Sequence, residues 1–223
     1  MTVEDSWVAL DAQCANRRLS PLYLGWVAVR NGRIVDRRSW LVRTPGRPYR
    51  TWEQPREEIT RERYDQAPLF VEAWPDMADF IAGRPVVAHG AGHDVGALRR
   101  GCDDVGAPWP SLTYACSLQL ARRVWPAKHA TEHGVHSYTS VGLAYVLFPE
   151  AGLNCDEHGI QLLTHHADPL EDAEASARIV LAAQHATGCS SLTEVLTVTG
   201  TPLLTVEPDR YQRNPRSWIP RHR

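Results

Sequence analysis

The chain has 223 residues, of which 43% are hydrophobic, and this is enough to bury the core of a single α/β domain. Its 24 Lys and Arg residues against 26 Asp and Glu residues give a formal charge of -2, which excludes a uniformly basic surface and confines any nucleic-acid contact to local patches. The 5 cysteines form no Cys-x-x-Cys pair, so neither a disulfide framework nor a zinc ribbon is indicated, and we expect a reducing cytoplasm.

Targeting and membrane signals are the next class to consider. The N-terminal residues lack the basic and apolar regions of a signal peptide, and no stretch reaches the roughly 18 consecutive apolar residues of a transmembrane helix. We therefore expect a soluble, unprocessed protein without a membrane partner. Oligomeric state leaves no pattern in the sequence.

The first third of the chain carries strand patterns. A short apolar run at residues 7–10 predicts a first strand, and residues 22–30 and 33–42 predict a β-hairpin. Asn31-Gly32 joins the two hairpin strands, and this dipeptide is the strongest short-range hairpin signal.

Helical periodicity follows in the middle of the chain. Five apolar residues recur at helical spacing: Phe70, Trp74, Met77, Ala78 and Ile81. Pro75 within this pattern predicts either a kink or a later helix start, and Gly83 ends it. Residues 85–88 then predict a brief buried strand, and a further helix begins near Asp94.

Three more helices are predicted in the second half, at residues 117–125, at residues 137–148 and from about Leu170 onward. Asp172 lies in the first turn of the last helix, where a carboxylate also interacts favourably with the helix dipole. Residues 202–206 predict at most a final short strand.

Two segments rich in ionisable residues have alternative interpretations. The linker at residues 127–136 contains His129, His133 and His136 without a helical or strand frame, so we interpret it as a solvated loop rather than a zinc site. The tail after Pro208 combines arginines and aromatic residues: Arg210, Tyr211, Arg213, Arg216, Trp218, Arg221 and Arg223. It is either a solvated terminus or a surface for phosphate contact and base stacking. We divide the chain into a main domain at residues 1–188 and a C-terminal extension at residues 189–223.

The chemistry begins with residues Asp11 and Gln13, which lie two apart on the first predicted strand and therefore face the same side, about 6.6 to 6.8 Å apart. Asp94 and Asp172 each lie at a helix start, where an isolated aspartate is usually a cap. If both helix starts meet the first strand, three carboxylates converge, and such a cluster is costly unless cations neutralise it. The ions expected at such a site are Mg²⁺ or Mn²⁺.

These motifs resemble those of the DnaQ-like 3′–5′ exonucleases of the DEDDh type. Residues 8–13 match the family's Asp-x-Glu motif, residues 86–94 its Val-Ala-His-Asn-x-x-Phe-Asp motif, and residues 165–173 its His-x-x-x-x-Asp motif. The likeness runs from about Trp7 to about Ala186, which is most of the chain. Order and spacing together make the resemblance specific, although no single motif would.

The resemblance implies an α/β, RNase H-like (DnaQ-like exonuclease) fold, with a central mixed sheet flanked by helices. In that family two divalent ions activate a water and stabilise the leaving oxygen during phosphodiester hydrolysis. Carried over residue by residue, Asp11, Asp94 and Asp172 hold the metal positions, and Gln13 and His166 complete the catalytic set. The implied partner is the 3′ end of single-stranded DNA or RNA, or a short nucleotide.

The chain departs from the family at substrate-facing positions. Gln13 replaces the family's Glu, and Gly90 and His93 replace the Asn and Phe of the second motif. One unit charge about 4 Å from another is worth about 4 kcal/mol at an effective dielectric near 20, and losing it only in the transition state would slow a reaction roughly a thousandfold. Because the amide oxygen of Gln13 can still ligate a hard cation, we expect weakened rather than abolished metal binding.

The general base of the third motif is out of register. Counting five residues back from Asp172 reaches Ala167, whereas His166 lies six residues back. Either Ala167 has replaced the base, or a one-residue insertion bulges the loop and lets His166 reach the site.

Nitrogen and sulfur donors near the motifs leave a further alternative open. Four imidazoles are involved: His89, His93, His165 and His166. They could favour a different transition metal, or they could serve as hydrogen-bond partners of the carboxylates. Cys14 lies beside the site without a matched partner in the sequence, so we expect no nucleophilic role for it.

Two functions from different classes fit these residues. The first is a metal-dependent 3′–5′ exonuclease or small-nucleotide phosphodiesterase, weakened by Gln13 and the displaced base. The second is a pseudo-nuclease that keeps the fold and binds nucleic acid or protein without turnover. The intact aspartates favour the first, and the simultaneous changes at Gln13, Gly90, His93 and Ala167 favour the second.

Overall fold

A mixed six-stranded sheet forms the centre of the protein in a computed structural model that describes residues 4–44, 59–126 and 168–207. The strands are β1 (Ser6–Cys14), β2 (Pro21–Arg30), β3 (Arg33–Leu41), β4 (Val86–Ala88), β5 (Leu112–Cys116) and β6 (Leu204–Val206). Their order in the sheet is β3-β2-β1-β4-β5-β6. β4 is parallel to both β1 and β5, and the other neighbouring pairs are antiparallel.

Helices cover this sheet on both faces. They are α1 (Arg61–Gln66), α2 (Phe70–Ile81), α3 (Gly92–Val105), α4 (Ser117–Val124), α5 (Pro169–Thr187) and α6 (Leu192–Thr199). None of the helices in the described segments is long and apolar enough to cross a membrane. The helix predicted at residues 137–148, the His-rich linker, the Arg-rich tail and His166 all lie outside the described residues.

The side chains of β1 show how the core is divided. Val8 and Leu10 belong to a buried cluster with side chains of α2 and α3, whereas Trp7 and Ala9 belong to a second cluster with α4, α5 and α6. Because successive residues of a strand face opposite sides, each face of the sheet has its own layer of helices. This confirms the predicted α/β architecture with a central mixed sheet flanked by helices.

The predicted hairpin is confirmed. β2 and β3 pair from Tyr23 opposite Leu41 to Arg30 opposite Arg33. Asn31 and Gly32 both have positive φ, 47° and 73°, as a two-residue turn matching the strand twist requires.

The helix predicted from apolar periodicity begins at Phe70, so the alternative of a later start after Pro75 is wrong. Pro75 lies inside α2 on its exposed side. Phe70, Trp74 and Trp109 stack in series, with ring centroids 5.4 Å and 6.2 Å apart. This aromatic stack fixes α2 against the segment that leads into β5.

The C-terminal elements pack on the same sheet. α5 ends at Thr187 and is capped by Gly188, which has a left-handed φ of 70°. Beyond it, α6 contributes buried side chains to the second core cluster, and β6 pairs with β5, which confirms the short strand predicted at residues 202–206. The domain boundary at residue 188 stays a prediction.

Candidate active site

The polar residues selected from the sequence lie on three elements. Asp11 and Gln13 lie on β1, Asp94 lies in the first turn of α3, and Asp172 lies in the first turn of α5. α3 follows β4, whose carboxyl end is beside that of β1 in a parallel pair. The candidate base His166 falls outside the described residues, so its position stays a prediction.

Asp94 is joined directly to β1. β4 ends at Ala88, opposite Leu10, and the Asp94 carboxylate then accepts the backbone N–H of Ala12 at 3.0 Å. The side chain is only 3% exposed. A backbone donor near the carboxyl end of β1 therefore fixes the orientation of the Asp94 carboxylate.

The surroundings of Asp94 disfavour its ionised form. Burial raises the pKa of Asp94, hydrogen bonds from the backbone at Ala12 and Asp94 partly oppose the shift, and the nearby charges of Cys116 and Asp172 add to it; the net result is a pKa of about 8. The contribution of Asp172 is the smallest of these, and it places a second acid near Asp94 at the start of α5. A cation near both carboxylates would reverse this cost, because it favours the ionised forms.

The start of α5 is fixed by local capping. The Asp168 side chain accepts the N–H of Leu170 at 2.9 Å, and Pro169 occupies the first turn, where its missing N–H costs no helical hydrogen bond. The N–H of Asp172 donates to the Asp168 carbonyl at 3.1 Å. Asp172 is thus held one turn inside a well-capped helix.

Gly25 sets how closely this helix approaches the sheet. A Cβ atom at Gly25 would lie 2.1 Å from both the carbonyl carbon and the carbonyl oxygen of Pro169, and 2.3 Å from the nitrogen of Leu170. Only a residue without a side chain allows this backbone contact. Because Gly25 is the β2 partner of Asp11, the contact places the first turn of α5 over the strand position that carries Asp11.

Ion pairs tie the next turn of α5 to the sheet edge. Arg37 of β3 binds Glu174 at 2.5 Å, and Arg178 binds the same carboxylate at 2.7 Å. The hydrogen bond from Arg37, reinforced by Arg178, lowers the pKa of Glu174. The Arg37–Glu174 pair therefore joins α5 to the edge strand β3, whereas the Arg178–Glu174 pair lies within α5.

Gln13 lies at the end of the regular part of β1. Its side chain is 6% exposed, and the register of β1 against β2 shifts between Gln13 and Cys14. A buried amide carries no charge, so this position contributes at most a neutral oxygen to a cation.

Two imidazoles of the second motif have polar partners in the structure. The Nδ1 atom of His89 is 2.9 Å from the hydroxyl oxygen of Ser117, which joins the end of β4 to the start of α4. The Nε2 atom of His93 is 3.5 Å from the sulfur of Cys14. The expectation that Cys14 has no partner is therefore wrong, because a residue 79 positions away in the sequence is brought to it by α3.

The donor set suits a hard divalent cation. Asp11, Asp94 and Asp172 supply carboxylate oxygens and Gln13 an amide oxygen, which are the ligand types that Mg²⁺ and Mn²⁺ prefer. Among the residues that the structure describes, no group of three His, Cys, Asp or Glu side chains is close enough together to hold a metal ion. The assignment of the three aspartates as metal ligands stays a prediction that the raised pKa of Asp94 supports.

Sequence comparisons give one partial match. No protein-family model matches the chain. A stretch of 66 residues is 35% identical to a protein of Mycobacterium tuberculosis whose name proposes a bifunctional exonuclease/endonuclease. The stretch covers 30% of this chain and 10% of that protein, so the chain spans about a tenth of the relative's length.

Solved structures match over nearly the whole chain. Exonuclease X in complex with 5′-overhanging duplex DNA has a TM-score of 0.59 and 22% identity, covering 87% of this chain and 99% of that one. A 3′-exonuclease in a structure of histone mRNA stem-loop 3′-end recognition has a TM-score of 0.59 and 11% identity, covering 93% and 92%. The chain has the DnaQ-like 3′–5′ exonuclease fold. Cell-death related nuclease 4 also matches, with a TM-score of 0.56, 12% identity and coverage of 92% and 81%.

Within this DnaQ-like fold, the sequence motifs did not reveal two features of the site. One is Gly25, whose signal was available, because a glycine inside a strand pattern indicates close approach of another backbone. The other is the Cys14–His93 pair, which no local pattern could predict, since it depends on how α3 packs against β1.

Proposed function

We propose that the protein is a metal-dependent 3′–5′ exonuclease or short-nucleotide phosphodiesterase whose activity is weakened at Gln13 and at the general base. The observation that carries the proposal is the buried carboxylate of Asp94, whose pKa is raised to about 8, beside the carboxyl end of the central strand β1 in a DnaQ-like fold. A buried acid whose pKa is strongly raised, with a second acid nearby, is typical of a catalytic site rather than of a helix cap.

The proposed roles follow from the position of each side chain. Asp11, Asp94 and Asp172 would hold Mg²⁺ or Mn²⁺, and ions bound there would supply activation of a water and stabilisation of the leaving oxygen. The Ala12 N–H orients Asp94, and the contact of Gly25 with Pro169 positions Asp172. His166 is proposed as the base that takes the proton from the attacking water.

Gln13 limits this activity in the proposal. An amide in place of a carboxylate removes one negative charge from the metal site, worth about 4 kcal/mol at close range. The missing charge weakens the attraction for cations but leaves an oxygen that can still coordinate them. Slow turnover that depends strongly on metal concentration is the expected behaviour.

The proposed substrate is a nucleic-acid 3′ end. Support comes from the similar solved structures, one of which is a complex with 5′-overhanging duplex DNA, while another shows 3′-end recognition of a histone mRNA stem-loop. The proposed polymer is single-stranded DNA or RNA, and a short nucleotide is the smaller alternative.

The test is Mn²⁺-dependent digestion of 5′-labelled single-stranded DNA and RNA by the wild type, Gln13→Glu and Asp94→Asn. We expect slow shortening from the 3′ end by the wild type, a gain of up to roughly a thousandfold in Gln13→Glu, and no cleavage by Asp94→Asn. Asp79→Asn is the matched control, because Asp79 is an exposed aspartate on α2. Cleavage that persists in Asp94→Asn would refute the assignment.

A pseudo-nuclease is the second candidate. It is favoured by the buried amide of Gln13, which is 6% exposed where the family has a carboxylate. In this case the wild type would bind oligonucleotide or a protein partner without cleaving nucleic acid. Cleavage by Gln13→Glu alone would then mean a pseudo-nuclease one charge from function, and silence of both proteins would point to the displaced histidine and a binding role. Metal-dependent cleavage by the wild type that Asp94→Asn abolishes would exclude it.

A further inference from the structure

The turn between β1 and β2, residues 15–20, is rigidly built at the edge of the candidate site. The Ala15 N–H donates to the Ser20 carbonyl at 2.8 Å, and the Leu19 N–H donates to the Asn16 carbonyl at 3.2 Å. The Asn16 side chain, 8% exposed, accepts the Arg18 N–H at 2.9 Å. Such side-chain to backbone bonds hold a turn in one conformation.

Two cations project from this fixed turn. Arg17 and Arg18 are both exposed, and neither guanidinium has an acidic partner within residues 4–44, 59–126 and 168–207. Most other described arginines are committed to ion pairs, including Arg30 with Glu4, Arg37 with Glu174, Arg38 with Asp76, Arg61 with Asp65, Arg99 with Asp103 and Arg100 with Asp104. The turn therefore presents positive charge that intramolecular ion pairs do not neutralise.

The turn lies within reach of a strand bound at the acids. Arg17 follows Gln13 by four residues, which span at most about 14 Å even when fully extended. A stacked strand places a phosphate about every 3.4 Å along its axis, so that distance corresponds to roughly four phosphates. A flexible arginine side chain at this place can contact phosphates that precede the cleaved bond.

We propose that Arg17 and Arg18 bind the phosphodiester backbone of a substrate strand on the 5′ side of the bond to be cleaved. The inference rests on the proposed nuclease function and narrows its substrate to strands with several phosphates. Guanidinium groups suit this contact, because their planar N–H donors match phosphate oxygens. The cations also offset the repulsion between a polyanionic strand and the carboxylates of the site.

The test compares two substrates that differ in phosphate number. Thymidine 5′-monophosphate p-nitrophenyl ester has one phosphodiester, whereas a 5′-fluorescein oligothymidylate of twelve nucleotides carries the upstream phosphates. We expect the double variant Arg17→Ala/Arg18→Ala to raise KM for the oligonucleotide roughly tenfold or more at 0.1 M salt and to leave the ester unchanged. Arg17→Lys/Arg18→Lys should retain most of the affinity, because the charges are kept.

Salt dependence supplies a second readout. Each phosphate contact to a single strand releases about 0.7 counterions, so losing two contacts should flatten the slope of log affinity against log salt by about 1.4. Between 50 and 200 mM salt the wild type should then lose about sevenfold more affinity than the double alanine variant. Arg33→Ala is the matched control, since Arg33 is an exposed arginine on the edge strand β3.

Fluorescence anisotropy with the labelled oligonucleotide keeps the two proposals separable. If the double variant binds the oligonucleotide more weakly than the wild type and Arg33→Ala does not, the role of Arg17 and Arg18 in strand binding is supported. Absence of cleavage by the wild type in the same experiment would then refute only the nuclease function. Cleavage by wild type with equal KM and equal salt slope in the double variant would overturn the role of the turn and leave the nuclease in place. An equal loss on the ester and on the oligonucleotide would also overturn it.

Discussion

At the scale of single residues, the protonation of Asp94 links the candidate site to stability. Its carboxyl has a pKa of about 8 in the folded protein and about 3.9 in an unfolded chain, so the folded state binds more protons at every pH between these values. The free energy of unfolding should therefore fall as the pH rises from about 4 to about 8, by up to about 5 kcal/mol. The amide side chain introduced by Asp94→Asn cannot ionise, so the free energy of unfolding of this variant should fall much less over the same pH range. Urea denaturation of both proteins at pH 5 and pH 8, in the presence of a chelator, measures the difference.

The comparison isolates one carboxyl, because all other titrating groups are common to the two proteins. Mn²⁺ at pH 8 should raise the urea midpoint of the wild type and have little effect on Asp94→Asn, since the ion binds the ionised carboxylate. Parallel pH dependence of the two proteins would mean that Asp94 ionises normally, and the electrostatic argument for a cation site would be lost.

The elements on which the candidate acids lie could be predicted from the sequence, but the electrostatic state of the acids could not. Asp11, Asp94 and Asp172 stand out because each lies on a strand or helix boundary that periodicity defines. The raised pKa of Asp94, in contrast, depends on burial and on the nearby charges of Cys116 and Asp172, which only the tertiary packing brings together.

At the scale of elements, Gly25 is expected to control the distance between α5 and β1. The Cβ of Gly25→Ala would meet the backbone of Pro169, which cannot move aside as a side-chain tip could. The first turn of α5 must then shift away from the sheet and carry Asp172 with it. We expect the apparent Mn²⁺ affinity to fall at least tenfold, because a ligand displaced by about 1 Å no longer meets the narrow distance range of metal coordination. Isothermal titration with Mn²⁺ measures this directly.

Gly101→Ala provides the control for the Gly25 experiment. Its Cβ would meet the ring of Phe70 at 2.6 Å, so it also strains a helix contact, but on the opposite face of the sheet from α5. Because Gly101 lies about two turns beyond Asp94 on α3, Gly101→Ala should lower the melting temperature but reduce Mn²⁺ affinity much less than Gly25→Ala, whose clash is with the first turn that carries Asp172. If displacement of Asp172 causes the loss of Mn²⁺ affinity in Gly25→Ala, the longer side chain of Asp172→Glu should restore part of that affinity. The same substitution in the wild type should lower Mn²⁺ affinity. A double-mutant cycle detects this coupling between positions 25 and 172. Purely additive effects would count against it.

The helices and strands that could be predicted are those with a strong local sequence pattern. The hairpin was predictable because Asn31-Gly32 fixes a specific turn, and α2 because five apolar residues repeat at helical spacing. β5 and α1 were not predicted, since α1 has only 6 residues and β5 only 5, too few for a period to be recognised. β5 is a strand because β4 and β6 pair on its two sides, which is tertiary information.

At the scale of the whole molecule, the resemblance to DnaQ-like exonucleases predicted the architecture, whereas local patterns alone predicted only an α/β unit. Periodicity cannot say that β1 lies between β2 and β4, or that β6 closes the sheet beside β5. Strand order is set by which apolar faces bury each other, and this depends on residues distant in sequence. The order of the three acidic motifs carried that long-range information.

The last elements of the chain make a testable case about where the folded unit ends. Leu192, Val195 and Leu196 of α6 are buried at 2%, 0% and 4% exposure, and β6 covers the edge of β5. Burial of each such side chain contributes about 1.5 to 3 kcal/mol, so removing all three costs a large part of the roughly 5 to 15 kcal/mol that holds a domain folded. A chain ending at Gly188 should therefore aggregate or melt far below the full-length protein, because it exposes an apolar face and an unpaired strand edge. A chain ending at Glu207 keeps every one of these contacts and should melt close to full length. Thermal unfolding of the two truncated chains tests whether residues 189–206 belong to the folded domain. Similar melting temperatures would make these residues a dispensable extension, as the boundary predicted at residue 188 implies. A much lower melting temperature of the chain ending at Gly188 would make them part of the nuclease-like fold itself.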